Sequence, residues 1–283
     1  MDKSVYLKVK DFSVSGEEFE LLLNEDLDML ETYPAPKEEQ LSKYYKSEDY
    51  ISHTDSKRNL FERVYHLIRS RALKKKLRII NSFGTEPKHL LDVGCGTGDF
   101  LKTALTDGWI VTGIEPNEQA RKIANSKTNQ NVFDINHLTS LNEHSFDAIT
   151  LWHVLEHLPS LEMHIQLFRK LLKPNGMLII AVPNYKSYDA AHYKEFWAAY
   201  DVPRHLWHFS RKSINKLFHK ENFELTKTVP LIFDAYYVSL LSEKYKTGFM
   251  NPIRAFLIGL KSNYKAKRNN DYSSLIYVLK QNN

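Results

Sequence analysis

Three alternating glycines, Gly94, Gly96 and Gly98, form the most constraining feature of the chain. The apolar residues before them predict a short buried strand over 90–93, and the periodicity from Asp99 onward predicts a helix. A strand that runs through a glycine turn into a helix exposes backbone N–H groups and a helix N-terminus to a ligand. The segment therefore predicts a ligand-binding turn in an α/β fold.

The spacing of these glycines narrows the class of ligand. A dinucleotide-binding turn has the pattern G-x-G-x-x-G, and its third glycine would fall at Asp99. The observed pattern G-x-G-x-G suits a nucleoside with an amino-acid tail, S-adenosylmethionine, better than a pyrophosphate. A tight turn without a ligand is the alternative, but three glycines cost backbone entropy that such a turn leaves unexplained.

Polar residues follow the next predicted strands. Glu115 ends a strand over 109–114, where an acid can accept both ribose hydroxyl protons. Asp134 ends a brief strand over 131–133 and can receive the adenine amino group, although acids at strand ends are common. A fourth strand covers 146–151. The expected cofactor-binding residues are Asp92, Gly94, Cys95, Gly96, Gly98, Glu115, Pro116, Asp134, Ile135, Leu151, Trp152 and His153.

The run Leu-Asp-Val-Gly-Cys-Gly-Thr-Gly, followed by Gly-Ile-Glu-Pro, resembles the class I S-adenosylmethionine-dependent methyltransferases. Within them the chain is similar to the branch of ubiquinone-biosynthesis O-methyltransferases, over roughly residues 85 to 230. The resemblance implies a Rossmann-like, seven-stranded, mostly parallel sheet with helices on both faces. It also implies methyl transfer to a small-molecule acceptor, with oxygen favoured over nitrogen or carbon.

Two domains are expected. Residues 1–53 form an appendage with short strands over 5–9 and 19–23, and residues 54–283 form the methyltransferase domain. Relatives in this branch often carry a cysteine zinc ribbon at the N-terminus, which this chain cannot build, so a hairpin or an arm is expected. Asp55 can cap the first helix of the domain. A helical insertion is expected over 233–268.

Composition excludes several classes of protein. The single cysteine, Cys95, excludes an internal disulfide and a cysteine zinc site and fits a reducing compartment. No apolar run is long enough to cross a bilayer, and no apolar segment of a signal peptide follows Met1. We therefore expect a cytoplasmic protein. The formal net charge of +5 permits anionic partners and does not require them.

Histidines are the expected catalytic residues. Methyl transfer from a sulfonium needs alignment, exclusion of water and, for a protonated acceptor, a base. Histidine is the natural base near neutral pH, and the candidates are His153, His157 and His205.

The first histidine cluster follows the fourth strand. In the ubiquinone O-methyltransferases the corresponding residues hold a divalent metal, which the resemblance carries over to His153, Glu156 and His157. Glu156 and His157 match the family, whereas His153 replaces an acid, so magnesium is disfavoured and a softer metal stays open. The alternative is that Glu156 and His157 only cap the next helix.

The second cluster spans 201–210. Arg204 could clamp an anionic acceptor, His205 could act as the base, and Trp207 could form a wall of the acceptor pocket. In the structural alternative, Asp201 pairs with Arg204 and the aromatic residues pack on the sheet.

Other functions remain open at this point. The basic run over 74–78 could bind RNA, but the motif of amino-group base methyltransferases is missing after the fourth strand, and Cys95 is committed to the turn. A non-catalytic cofactor-binding module is a further alternative. The insertion could be a lid, a dimer contact or a peripheral membrane contact, and the chain a monomer or a homodimer.

Overall fold

The structure is a computed structural model that describes residues 4–45, 60–82 and 88–282. Its strands are β1 (Ser4–Lys10), β2 (Glu18–Asn24), β3 (Met29–Tyr33), β4 (His89–Val93), β5 (Ile110–Ile114), β6 (Val132–Phe133), β7 (Phe146–Trp152), β8 (Leu172–Pro183), β9 (Trp207–His208), β10 (Phe223–Pro230) and β11 (Ser274–Gln281). Its helices are α1 (Glu38–Leu41), α2 (Leu60–Asn81), α3 (Asp99–Thr106), α4 (Glu118–Asn125), α5 (Leu161–Leu171), α6 (Tyr188–Tyr193), α7 (Arg211–Lys220), α8 (Asp234–Thr247) and α9 (Pro252–Asn269).

A seven-stranded sheet has the order β10-β11-β8-β7-β4-β5-β6. The pairs of β4 with β5 and with β7, and of β5 with β6, are parallel, whereas β10 and β11 are antiparallel. Strands of the sheet run parallel where a helix joins one strand to the next. The expected Rossmann-like, seven-stranded, mostly parallel α/β fold is confirmed.

The described chain divides into two compact units. One contains residues 4–45, 153–165 and 180–282, and the other contains residues 60–82, 88–152 and 166–179. We call them the histidine unit and the glycine-turn unit. The predicted cap Asp55 and the predicted boundary at residues 53 and 54 lie outside the described residues.

In the glycine-turn unit, β4 is the central strand and its apolar residues Leu90, Leu91 and Val93 are almost completely buried. Gly113 in β5 packs so closely that a Cβ there would lie 2.6 Å from Cδ1 of Leu101 in α3. Asn117 caps α4 by accepting the Ala120 N–H. These contacts fix the ends of the parallel strands at which the predicted cofactor residues stand.

In the histidine unit, β1 and β2 form the expected antiparallel hairpin, which confirms the strands predicted near the N-terminus. The sequence did not predict that β3 and β9 extend this hairpin to a four-stranded sheet, with Leu30 opposite His208 and Glu31 opposite Trp207. The described part of the appendage is therefore hydrogen-bonded to the segment of the second histidine cluster.

Two helices, α8 and α9, make up the expected helical insertion. They pack against each other, and Tyr236 stacks on Phe256 with ring centroids 5.4 Å apart. None of the described helices combines the length and the apolar character that crossing a membrane requires.

Candidate active site

The glycine turn adopts a backbone that disfavours side chains. Gly94, Gly96 and Gly98 have φ angles of 69°, 55° and 76°. A Cβ at Gly98 would lie 2.9 Å from Ala124, whereas a Cβ at Gly96 would meet no atom within 4 Å. Open space beside a left-handed glycine leaves room for a ligand against the backbone. The turn thus fits the cofactor that the sequence predicted.

Glu115 lies under this turn. Its side chain is fully buried, and its two carboxylate oxygens accept the N–H groups of Gly96 and Asn117, each at 2.8 Å. The ribose contact of Glu115 remains a prediction.

Asp92 is buried at the end of β4 and accepts the Thr150 hydroxyl at 2.6 Å. Burial raises its pKa to about 7, although the Thr150 hydrogen bond and the charge of Lys76 oppose this rise. A carboxylate that titrates near neutral pH beside a glycine turn is typical of a ligand-binding site.

Trp152 ends β7 in the same unit. Its ring packs edge-on against Phe100, and the Lys76 ammonium lies over it, 4.3 Å from the ring centroid. Trp152 Nε1 is buried and has no hydrogen-bond acceptor among the residues that the structure describes. A buried donor without an acceptor is costly, so this N–H is a candidate ligand contact.

The other predicted cofactor residues differ in exposure. Leu151 is fully buried in β7, whereas Pro116, Asp134 and Ile135 are exposed, and one oxygen of Asp134 accepts the Asn136 N–H. Burial raises the pKa of the Cys95 thiol, helped by the charges of Asp92 and Glu115. Cys95 is therefore protonated and unsuited to nucleophilic catalysis.

In the histidine unit, His153 lies between two carboxylates. Its Nδ1 is 3.4 Å from Glu156 and its Nε2 is 3.2 Å from Asp234, the first residue of α8. Burial opposes the charged ring, but the hydrogen bonds to Asp234 and Glu156 outweigh it and raise the pKa of His153 to about 10. His153 is thus charged at neutral pH and lacks the lone pair that a base needs.

Glu156, His157 and His205 are brought together by the fold. One ligand atom from each lies within 4.8 Å of the other two, and the rings of the two histidines are 4.6 Å apart. Glu156 is buried, and its Oε2 has no hydrogen-bond donor among the described residues. An orphaned buried carboxylate beside two imidazoles fits a metal ion better than a helix cap.

The tautomers of the two histidines follow from their backbone contacts. Nδ1 of His205 is 2.9 Å from the carbonyl oxygen of Ala199, and Nδ1 of His157 is 3.0 Å from that of Arg204. A carbonyl accepts only, so each Nδ1 carries the proton and each Nε2 keeps a lone pair. Burial holds the pKa of His205 well below its usual range, so His205 is neutral.

The resemblance offers Glu156 and His157 as possible metal ligands, with His153 at the third position of the family pattern. The structure brings Glu156 and His157 together, but both ring nitrogens of His153 face carboxylates, and His205 lies with the pair instead. Two imidazoles and one carboxylate favour a transition metal such as zinc or iron over magnesium. The second imidazole at this site was missed because His205 is 48 positions beyond His157 in the sequence.

The side chain of Arg204 binds other residues of the histidine unit. Its guanidinium pairs with Asp201 and donates to the Ser13 hydroxyl at 2.7 Å, so the structural alternative for this pair is the arrangement observed. Trp207 donates its indole N–H to the carbonyl of Leu158 at 2.8 Å. Substrate contacts of Arg204 and Trp207 therefore stay predictions, and an anionic acceptor would compete with Asp201.

A profile described as "Methyltransferase domain" matches residues 60–228, which is more than half of the chain. The chain belongs to the methyltransferase family. Its cofactor is S-adenosylmethionine, which fits the open glycine turn and the unpaired Trp152 N–H. The comparisons give no support to the nucleic-acid alternative.

The relatives of this methyltransferase include two ubiquinone biosynthesis O-methyltransferases. That of Coxiella burnetii is 33% identical over 109 residues, which are 36% of this chain and 47% of the relative. That of Histophilus somni is 36% identical over 112 residues, with the same coverage. The chain thus matches about half the length of these relatives.

Solved structures support the fold. Magnesium protoporphyrin IX methyltransferase from Synechocystis, with bound S-adenosylhomocysteine, has a TM-score of 0.58 at 15% identity and covers 87% of this chain and 100% of its own. A methyltransferase from Archaeoglobus fulgidus has a TM-score of 0.52 at 19% identity and covers 79% of this chain and 100% of its own.

Proposed function

We propose that the protein transfers the methyl group of S-adenosylmethionine to a hydroxyl oxygen of a small molecule in the cytoplasm. The family match over residues 60–228 carries the methyltransferase part of this proposal. The named O-methyltransferase relatives support oxygen as the acceptor atom. The single cysteine supports a reducing compartment.

The bound cofactor supplies an activated methyl group, so the protein does not have to create the electrophile. The glycine turn offers backbone N–H groups and open space at Gly96. Asp92 supplies a negative charge for the cationic cofactor when it is ionised, and Trp152 offers an N–H for an acceptor oxygen. These groups bind and orient, which is the main contribution an enzyme makes to a methyl displacement.

His205 is the residue best suited to take the acceptor proton. It is neutral, its Nδ1–H is held by Ala199, and its Nε2 lone pair is available. The acceptor oxygen forms the new C–O bond as the C–S bond breaks, and its proton passes to Nε2. His153 remains charged and positions Glu156 through its Nδ1.

A transition metal is a second way to use the same cluster. Glu156, His157 and His205 would hold it through one carboxylate oxygen and two Nε2 atoms. There it would lower the pKa of a hydroxyl and so replace the base. The carbonyl oxygens of Ala199 and Arg204 would orient the imidazoles.

Isothermal titration calorimetry with S-adenosylmethionine, followed by mass spectrometry of a panel of phenols, catechols and amines, tests the function. We expect cofactor binding and a gain of one methylene mass on hydroxyl compounds, with product diminished in His205→Asn and retained in His164→Asn, a variant of the half-buried α5 histidine. Absence of cofactor binding would overturn the proposal. Products formed only from amines would replace oxygen by nitrogen as the acceptor.

A further inference from the structure

Helix α9 buries small side chains and exposes large apolar ones, which reverses the usual arrangement in a globular protein. The side chains that it buries are small: Ala255, Gly259, Ser262 and Ala266. Ile258 is half-buried against the core, but the other large apolar side chains of α9 are exposed: Ile253, Phe256, Leu257, Leu260 and Tyr264. Ile253 is 75% exposed and Tyr264 is 60% exposed. An amphipathic helix normally turns its large apolar residues to the core.

The small residues of α9 are required by its contact with α8. A Cβ at Gly259 would lie 2.7 Å from Cδ1 of Tyr236, so the helices meet at close range. Phe256 stacks on Tyr236 of α8, whereas Ile253, Leu257, Leu260 and Tyr264 stay exposed on the face away from this contact.

The exposed apolar residues form one stripe. At about 100° per residue, positions 253, 256, 257, 260 and 264 fall within about 100° of the helix circumference. The stripe continues at the α8–α9 turn, where Phe249 and Met250 are exposed. Exposed apolar side chains in a continuous band mark an interaction surface, whereas scattered ones need no explanation.

The charges of α9 have one sign. The helix contains five basic residues and no acidic residue: Arg254, Lys261, Lys265, Lys267 and Arg268. Arg254 lies 3.3 Å from the buried Glu243, and Lys261 and Lys265 lie over the Tyr188 ring. Since the ring contacts neutralise no charge, the flank of the stripe stays cationic.

We propose that the exposed face of α9, together with Phe249 and Met250, binds an anionic lipid surface. A helix with large apolar residues on one face, lysines and arginines beside them and no acids is typical of interfacial helices. A second copy of the chain is disfavoured because a two-fold contact would bring five cations of one α9 towards five of the other. An acidic protein partner would not require an acid-free helix of 18 residues.

Vesicle co-sedimentation tests this proposal with the full chain. The probes are vesicles of phosphatidylcholine alone and of phosphatidylcholine mixed with phosphatidylglycerol. We expect binding to the anionic vesicles only, weakened at high salt because surface charges are screened. The double variant Leu257→Ser, Leu260→Ser should bind at least about tenfold more weakly. The charge variant Lys267→Gln, Arg268→Gln should also bind the anionic vesicles more weakly than the wild type does.

Matched controls change similar residues elsewhere. Met163→Ser removes an exposed apolar side chain from α5, and Lys220→Gln removes a charge at the end of α7. Both should bind vesicles as the wild type does, and circular dichroism checks that all variants fold. Equal binding to neutral vesicles, or unchanged binding of both α9 variants, would overturn the proposal. So would a dimer that the apolar variant dissociates, or binding to polyglutamate without binding to vesicles.

Discussion

The ammonium of Lys76 lies over the indole of Trp152, with Nζ 4.3 Å from the ring centroid. The charge of the same ammonium opposes the rise in the pKa of Asp92. Lys76 therefore lies among the groups that we expect to bind the cofactor. S-adenosylmethionine carries a positive sulfonium and S-adenosylhomocysteine does not. Lys76 should therefore weaken binding of the first relative to the second.

Lys76→Gln should shift the ratio of the two dissociation constants in favour of S-adenosylmethionine by about two- to fivefold, the size of a partly exposed cation contact. Calorimetry with both ligands measures this ratio. Lys88→Gln is the matched control, because Lys88 also lies over an indole, that of Trp109, at 5.8 Å. An unchanged ratio in Lys76→Gln would show that its ammonium does not sense the sulfonium.

Because the pKa of Asp92 is raised in the folded protein, we expect the free energy of unfolding to depend on pH. Burial raises its pKa from 3.8 to about 7, so the folded protein holds this proton more tightly than the unfolded chain. The stabilisation that the protonated Asp92 carboxyl gives the folded protein is complete below pH 3.8 and is lost as the pH rises through about 7. The free energy of unfolding of Asp92→Asn should therefore rise relative to wild type over this interval, by at most about 1.4 kcal/mol per pH unit.

Urea unfolding at several pH values measures this difference. Asn keeps a carbonyl oxygen for the Thr150 hydroxyl, so the variant isolates the charge. Asp107→Asn, at an exposed carboxylate after α3, is the matched control. A difference between Asp92→Asn and wild type that is the same at every pH would contradict the assignment.

Gly96 and Gly108 separate backbone strain from ligand contact. Both have positive φ angles, 55° and 92°, and a Cβ at either would meet no atom within 4 Å. Alanine at either position should cost about 1 to 2 kcal/mol of stability through the left-handed backbone. Only Gly96→Ala should also weaken S-adenosylmethionine binding, by at least about tenfold, since its methyl group would enter the open space of the turn. Equal affinities in the two variants would place the cofactor elsewhere.

The cluster of Glu156, His157 and His205 predicts metal selectivity. Cobalt titration, followed by visible absorption, should show a site that magnesium does not displace. His205→Gln should weaken cobalt binding more than about tenfold, whereas His164→Gln should leave it unchanged. Equal cobalt binding in both variants, or displacement by magnesium, would rule out this ligand set.

The hydroxyl of Thr32 links the N-terminal sheet to the segment that carries His205 and His208. Its hydroxyl donates to the carbonyl of His205 at 2.6 Å and lies 3.0 Å from Nε2 of His208. Thr32→Val leaves both buried groups unpaired and should cost about 1 to 3 kcal/mol of stability. Thr139→Val, at an exposed threonine, is the control in chemical denaturation. A loss no larger than that of the control would contradict the importance of this bond.

Local patterns predicted the parallel strands and the glycine turn because short apolar runs and left-handed glycines leave a direct mark in the sequence. Ser210 at the start of α7 forms a capping box, and Asn222 after its end has a φ of 58°, so residue types at helix ends are further local signals. The fold class was therefore accessible without coordinates.

Contacts between distant residues were not accessible. No local pattern links Lys76 to Trp152, Asp234 to His153 or His205 to Glu156, because each pair is joined only by tertiary packing. For the same reason the sequence predicted that Glu115 accepts the ribose hydroxyls without revealing that two backbone N–H groups already donate to it.

The pairing of β3 with β9 has a consequence for how such enzymes diversify. A segment that precedes the catalytic core in the chain supplies the strand that fixes the backbone around His205, through the Thr32 amide and the carbonyl of Leu206. Substitutions in this leading strand can thus retune the chemistry of the imidazole while every residue of the nucleoside-binding motif stays the same. New specificities could then arise by drift or exchange of the first few dozen residues.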